Sequence, residues 1–172
     1  MLILYILLGI VVFYFVLIFV ILRFITPFMS FGPFHLPKQI PQEVLDKIAE
    51  LEKQSATPEQ YLKAAYEFVV SRWHAGRFAT VRHAPLAFRK DISSIWNQPG
   101  YAHCNTQNYI LFLLLAGSKF FKPTDIKPKC VFFNFFIHQY LQVTLLSGRT
   151  YADPAGASIH GIPLGGHIEF FG

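Results

Sequence analysis

Residues Leu2 to Leu22 form an unbroken apolar run, LILYILLGIVVFYFVLIFVIL, without one charged side chain. A helix needs about 20 apolar residues to cross the hydrocarbon core of a bilayer, and this run meets that length before Arg23 ends it. It is apolar on every side, so it has no polar face to turn to water. A cleaved secretory leader is the competing reading. Against it, no basic segment precedes the run, the run is longer than a leader's apolar core, and no Ala-x-Ala-like site follows. The expectation is a retained transmembrane helix over residues 1–25, with the bilayer as partner. Arg23, with Lys38 farther on, points the following domain to the cytoplasmic side by the positive-inside rule.

The remainder of the 172-residue chain has the composition of one soluble domain, although the whole is 53% apolar. The net charge of +5 comes from scattered lysines and arginines with no run of five, so a nucleic-acid-binding tail is not indicated. The two cysteines, Cys104 and Cys130, are too few for a disulfide-stapled scaffold and lack metal-ligand spacing; a single bridge between them stays open. No metal or nucleotide motif is present, so no cofactor is expected.

Residues 26–41 carry Pro27, Pro33, Pro37 and Pro41 among phenylalanines. That proline density blocks a helix. The segment reads as a Pro/Phe-rich linker whose aromatics suit the bilayer interface or a groove on the domain. The domain proper is residues 42–172. Residues 42–54 have helical spacing of Val44, Leu45, Ile48 and Leu51. Thr57, Pro58 and Gln60 form a helix start with a capping box, and Leu62, Ala65, Tyr66, Val69 and Trp73 mark the core face of the helix behind it. Residues 74–100 show no clear period and read as loop with a short helix. They are long for a plain connection and are placed as one wall of a substrate cleft. Residues 104–117 predict a buried helix stopped by Gly117. Residues 129–136 and 138–146 predict strands, SGRT (147–150) a turn, and 150–153 a return strand. The tail is glycine-rich, with a last short strand. Helices followed by antiparallel strands give an α+β class.

Three residues carry the chemistry. Cys104 opens the buried helix, where unpaired N–H groups and positive potential favour thiolate over thiol. His138 interrupts an aromatic run at a strand start, and a buried histidine needs a partner for its ring nitrogens. Asp153 closes the return strand, where it can hold the His138 imidazole in one tautomer and stabilise its charged form. Each has a plainer reading: a small buried hydrophobe, a satisfied core histidine, a turn-starting aspartate. Their order and settings match the logic of a thiol nucleophile, a general base and its orienting acid. With Ser147 and Gly148 as a two-residue turn, Asp153 lies across from Gln142 and shares a sheet face with His138. Gln142 is four residues from His138, roughly 13 Å at strand rise, so contact requires a bulge, a strong twist or another register.

Gly100-x-x-x-Cys104, an apolar helix ending in Ala116-Gly117, His138-x-x-x-x-Val143 and Asp153-Pro154 together resemble the transglutaminase-like superfamily over residues 58–155. The resemblance implies a papain-like core in which a buried helix carrying the cysteine packs on an antiparallel sheet. It implies a Cys104–His138–Asp153 triad in a cysteine protease, amidase or acyl transferase acting on peptides or proteins. Tyr140 stands where the family often has tryptophan, and His103 where a small or acidic residue is common. Trp96, Gln98 and His103 are candidates for an oxyanion hole beside the backbone N–H of Cys104, and His103 could add positive charge next to the thiol. His160 and His167 are alternative third groups, and Cys130 is assigned to packing. Two other readings stand beside the amide-directed thiol enzyme. One is a non-catalytic membrane-tethered binding module on a degenerate core. The other is an acyl transferase similar to arylamine N-acetyltransferases, whose members are much longer.

Overall fold

The computed structural model describes residues 2–17, 23–134 and 136–169. The first helix, α1 (Leu2–Val16), carries exposed apolar side chains on all sides, Leu4 at 65% and Ile10 at 60% among them. Among the described residues no helix is long and apolar enough to cross a membrane. Residues 18–22 of the expected span lie outside the described residues.

The domain begins with two helices, α2 (Gln42–Gln54) and α3 (Pro58–Arg72). The Thr57 hydroxyl caps α3 by accepting from the Gln60 N–H at 3.3 Å, as expected. The returning arm lands one residue early: Gln60 Oε1 accepts from the Ala56 N–H at 2.8 Å. Val44, Ile48 and Leu51 are buried as their spacing predicts, whereas Leu45 stays exposed. Tyr61 joins the expected core face of α3 and donates its hydroxyl to the Leu114 carbonyl at 2.7 Å.

Between α3 and the buried helix the chain is more regular than its sequence suggests. Trp73–His74 (β1) pairs in parallel with Gly100–Tyr101 (β2). The intervening segment holds α4 (Arg77–Arg82), a 3₁₀ turn (Ala84–Phe88) and α5 (Ile92–Trp96), with Asp91 capping α5 through the Ser94 N–H. Gly100 takes φ 119°, a conformation L side chains rarely adopt, which is why β2 opens on glycine.

Helix α6 (Cys104–Ala116) is the centre of the core, and Ile110 to Leu115 are all buried. Each such aliphatic side chain contributes about 1.5–3 kcal/mol of burial. Gly117 ends the helix, but with ordinary right-handed dihedrals. Its glycine is required by space: a Cβ there would meet Ile48 Cδ1 at 2.7 Å and the Leu113 carbonyl at 2.8 Å.

Strands β3 (Ile126–Asn134), β4 (Phe136–Leu145) and β5 (Gly148–Ala152) form an antiparallel sheet in that order, packed against α6. Leu141 and Val143 of the central strand join the core cluster. On the alternate face Tyr140 stacks on His167 of the tail at 4.2 Å. The architecture is thus α+β, with a buried cysteine-bearing helix on an antiparallel sheet. After β5 the glycine-rich tail opens with α7 (Pro154–His160), capped by Asp153 and closed by Gly161 in the left-handed region at φ 66°; no strand follows it among the described residues, and residues 170–172 lie outside them. Asp-Pro at a helix start is a capping signal as well as a turn signal.

The proline-rich segment after the apolar run is docked on the domain. Asn105 Nδ2 donates to the Pro27 carbonyl at 2.6 Å, and the Ser30 N–H donates to Gln139 Oε1 at 3.0 Å. Gln139 Nε2 donates to the Phe28 carbonyl, and the Tyr109 hydroxyl to the His35 carbonyl. Phe34 is buried against Tyr109 and Phe112. Phe28 stacks on Tyr109 at 4.2 Å while holding φ 62°. Such a backbone costs a bulky residue about 1–3 kcal/mol, offset here by packing.

Candidate active site

The register of β4 with β5 brings His138 and Asp153 together. Leu145 pairs with Gly148 and Leu141 with Ala152. The turn is therefore Leu146–Ser147, and continuation of the ladder sets Asp153 level with Tyr140 instead of Gln142. A shift of two residues keeps Asp153 on the His138 face and halves the separation along the strand. Asp153 leaves the strand to cap α7, and its Oδ2 lies 2.8 Å from His138 Nε2. His138 stands on the third residue of β4, not its first.

Asp153 is fully buried, and its carboxylate accepts three hydrogen bonds. Besides His138, Oδ2 accepts from the Ile168 N–H at 2.9 Å, and Oδ1 accepts from the Gly156 N–H at 2.8 Å. The Tyr66 hydroxyl shares its one proton between the backbone carbonyls of Asp153 and Ile162, at 3.3 and 3.2 Å. Gly156 is obligatory by space, since a Cβ would sit 2.5 Å from Asp153 Oδ2. These supports escape a reading of the sequence. Only the Asp-Pro cap signal points to one of them.

Nε2 is taken by Asp153, which leaves Nδ1 of His138 for Cys104. Burial lowers the affinity of the His138 ring for a proton. The Asp153 hydrogen bond, the hydrogen bond with Cys104 and the negative charge on both partners outweigh it, and the imidazole is pushed up to about 10. The site therefore holds an imidazolium between Cys104 and a buried carboxylate. Cys104 Sγ also lies 4.0 Å from the Ile137 carbonyl. Asn108, one turn along α6, donates from Nδ2 to both the Cys104 and the Gln139 carbonyls and so ties the helix start to β4. His103 is the N-cap residue of α6 but makes no side-chain cap. The first turn of α6 therefore has no side-chain cap.

Cys104 and His138 share a cavity of about 270 Å³, with Asp153 behind them. Its walls are α4 and the 3₁₀ turn, the docked segment at Thr26 and Met29, and Ala155, Ile159 and Ile168 from the C-terminal part. The irregular stretch 74–100 does supply one wall. His103 lines the cavity too. Burial holds its ring below the usual histidine range, so at neutral pH it brings a dipole and not a charge to Cys104. Its Nε2 sits 3.0 Å from the His83 carbonyl.

The other oxyanion candidates lie elsewhere. Trp96 is buried among Phe68 and Trp73, and its carbonyl accepts from Arg72. Gln98 accepts from Arg89 on a separate crevice. His160 reaches the cavity but pairs with Arg77 at 3.0 Å, while His167 stacks on Tyr140. Both cysteines are free thiols, and Cys130 Sγ lies 3.7 Å from the Ser30 carbonyl. Among the described residues no group of histidine, cysteine and carboxylate side chains could hold a metal ion. Compared with known protein families, curated proteins and solved structures, the chain matches none.

Proposed function

We propose that this chain is a membrane-anchored cysteine hydrolase or acyl transferase of transglutaminase-like type, acting on amide or peptide bonds through Cys104, His138 and Asp153. The observation that carries the reading is the buried 2.8 Å His138–Asp153 pair on the same cavity as Cys104 at a helix start. The Cys104 thiolate attacks the carbonyl carbon, forming a C–S bond, and the oxyanion takes the Cys104 backbone N–H. As the C–N bond breaks, imidazolium Nδ1–H protonates the leaving amine. Water or an amine then gives its proton to His138 and displaces the thiolate, releasing an acid or a new amide. Asp153 keeps Nε2 protonated throughout. The exposed apolar surface of α1 supports the anchor, since water-soluble surfaces rarely expose such patches.

The test is residue-resolved thiol labelling of the detergent-solubilised chain at mildly acidic pH, beside His138→Ala and Asp153→Ala. Fast labelling of Cys104 that both substitutions slow at least about tenfold is the expected result. Slow labelling of Cys104 indifferent to His138 would leave a tethered binding module as the better reading.

A further inference from the structure

We propose that the acyl half of the substrate is a hydrocarbon chain of medium length, seated in the cavity beside Cys104. The proposal rests on the thiol-enzyme reading and assigns its substrate class as an N-acyl amide or related acyl donor, as opposed to an extended peptide.

The lining of the cavity is the first argument. Its apolar lining is Met29, Val81, Phe88, Ile137, Ile159, Ile168 and alanines. Most of the polar side chains that reach it have protein partners. Arg77 meets His160, Thr80 meets the Gly76 carbonyl and the Tyr101 hydroxyl, His103 meets the His83 carbonyl, and Asn105 meets the Pro27 carbonyl. An extended peptide needs donors and acceptors for its backbone. A hydrocarbon chain needs only apolar contact, and each buried methylene strengthens binding severalfold.

The rim is the second argument. Phe78 is 93% exposed and Val81 60% exposed on α4, and Phe88 is exposed on the 3₁₀ turn. Val81 and Phe88 also line the cavity, so part of its apolar lining reaches the surface. Arg77, Arg82 and Arg89 stand among them in sequence, a mixture suited to an anionic lipid surface. Thr26, also in the cavity wall, follows directly in sequence from exposed Phe24 and Ile25 at the foot of the apolar run. A chain entering from a bilayer at this rim would meet apolar side chains on its way to Cys104.

The reaction is the one above with the acyl group fixed: the Cys104 thiolate forms a thioester with the chain's carbonyl, the leaving group departs with the His138 proton, and water then releases the fatty acid. The probes are p-nitrophenyl acetate, octanoate and palmitate, activated so that the leaving group does not limit. A nitrophenyl ester of a Phe-terminated peptide is the comparison. Each is reacted with the full chain in detergent, and acylation of Cys104 is followed by intact-protein mass. Octanoyl transfer should exceed acetyl and peptidyl transfer by about tenfold or more in kcat/KM. Ala84→Leu and Val81→Asp, which fill the cavity or charge its wall, should lower the octanoyl-to-acetyl ratio by a similar factor. Equal rates for acetyl and octanoyl in the wild-type chain, or a preference for the peptidyl ester, overturn the proposal while leaving the thiol-enzyme reading intact. Failure of every ester, together with slow Cys104 labelling, overturns both.

Discussion

At the scale of single residues, the two thiols of this chain are set apart by their surroundings. Cys130 sits in β3, where burial, with the neighbouring Cys104 adding to it, pushes its thiol up to about 12. It is therefore a protonated, inert group at neutral pH, and only Cys104 has an imidazolium partner. Gly156 tests the support of that partner without touching the reacting atoms. A methyl group there would sit 2.5 Å from Asp153 Oδ2. Gly156→Ala must then displace the carboxylate or unwind the first turn of α7. The Gly156 backbone φ is ordinary, so steric conflict with Asp153 is the main cost. The expected result is a fall of about tenfold or more in the Cys104 acylation rate, with the far-ultraviolet circular dichroism unchanged. A Gly156→Ala chain acylated at the wild-type rate would show that Asp153 does not depend on this close approach.

At the scale of elements, the docked segment ahead of α2 matters most. Gln139 is fully buried, and its two amide atoms hold Phe28 and Ser30 while Met29 between them forms part of the cavity wall. Replacing it with alanine leaves a backbone N–H and a carbonyl of the segment without their partners, a loss of about 1–3 kcal/mol. Gln139→Ala should therefore speed proteolytic cleavage within residues 26–34 severalfold, well before the domain is cut. Unchanged cleavage there would mean that the aromatic stacking of Phe28 and Phe34 suffices to hold the segment. The sequence announces this element only in part. Proline spacing excludes a helix, and the phenylalanines offer a groove, but the groove itself is made by α6 and β4, far along the chain. The helices α2, α3 and α6 are legible because periodicity and caps are local signals. The wall at 77–96 is not, because its short helices are set by neighbours more than by any period. The β4–β5 register hinges on which two residues turn. With Leu146–Ser147 in place of Ser147–Gly148, the His138–Asp153 gap closes. Asp153-Pro154 reads as a strand end in the sequence, and in the fold it also begins a helix.

At the scale of the whole molecule, the buried His138–Asp153 pair beside Cys104 links the proposed chemistry to stability. His138 lies in the central strand, Cys104 opens the core helix, and Asp153 joins the sheet to α7 and accepts from Ile168 of the tail. The imidazolium is thus held by three parts of the fold at once. Its proton affinity is raised in the folded state, from an ordinary 6.5 to about 10. A raised histidine contributes stability that is fully present below the unfolded value and disappears as pH climbs through the folded one. The contribution should therefore be complete below about pH 6.5 and fade progressively toward pH 10. His138→Gln, which keeps a donor for Asp153 but cannot take the charge, supplies the reference. The Tm of the wild-type chain should exceed that of His138→Gln most at mildly acidic pH, and the gap should shrink across the alkaline range. A gap that stays constant from neutral to alkaline pH would mean that the ring is not held as a cation. The thiol would then have no stored proton for its leaving group, and the mechanism would have to begin from a neutral Cys104–His138 pair.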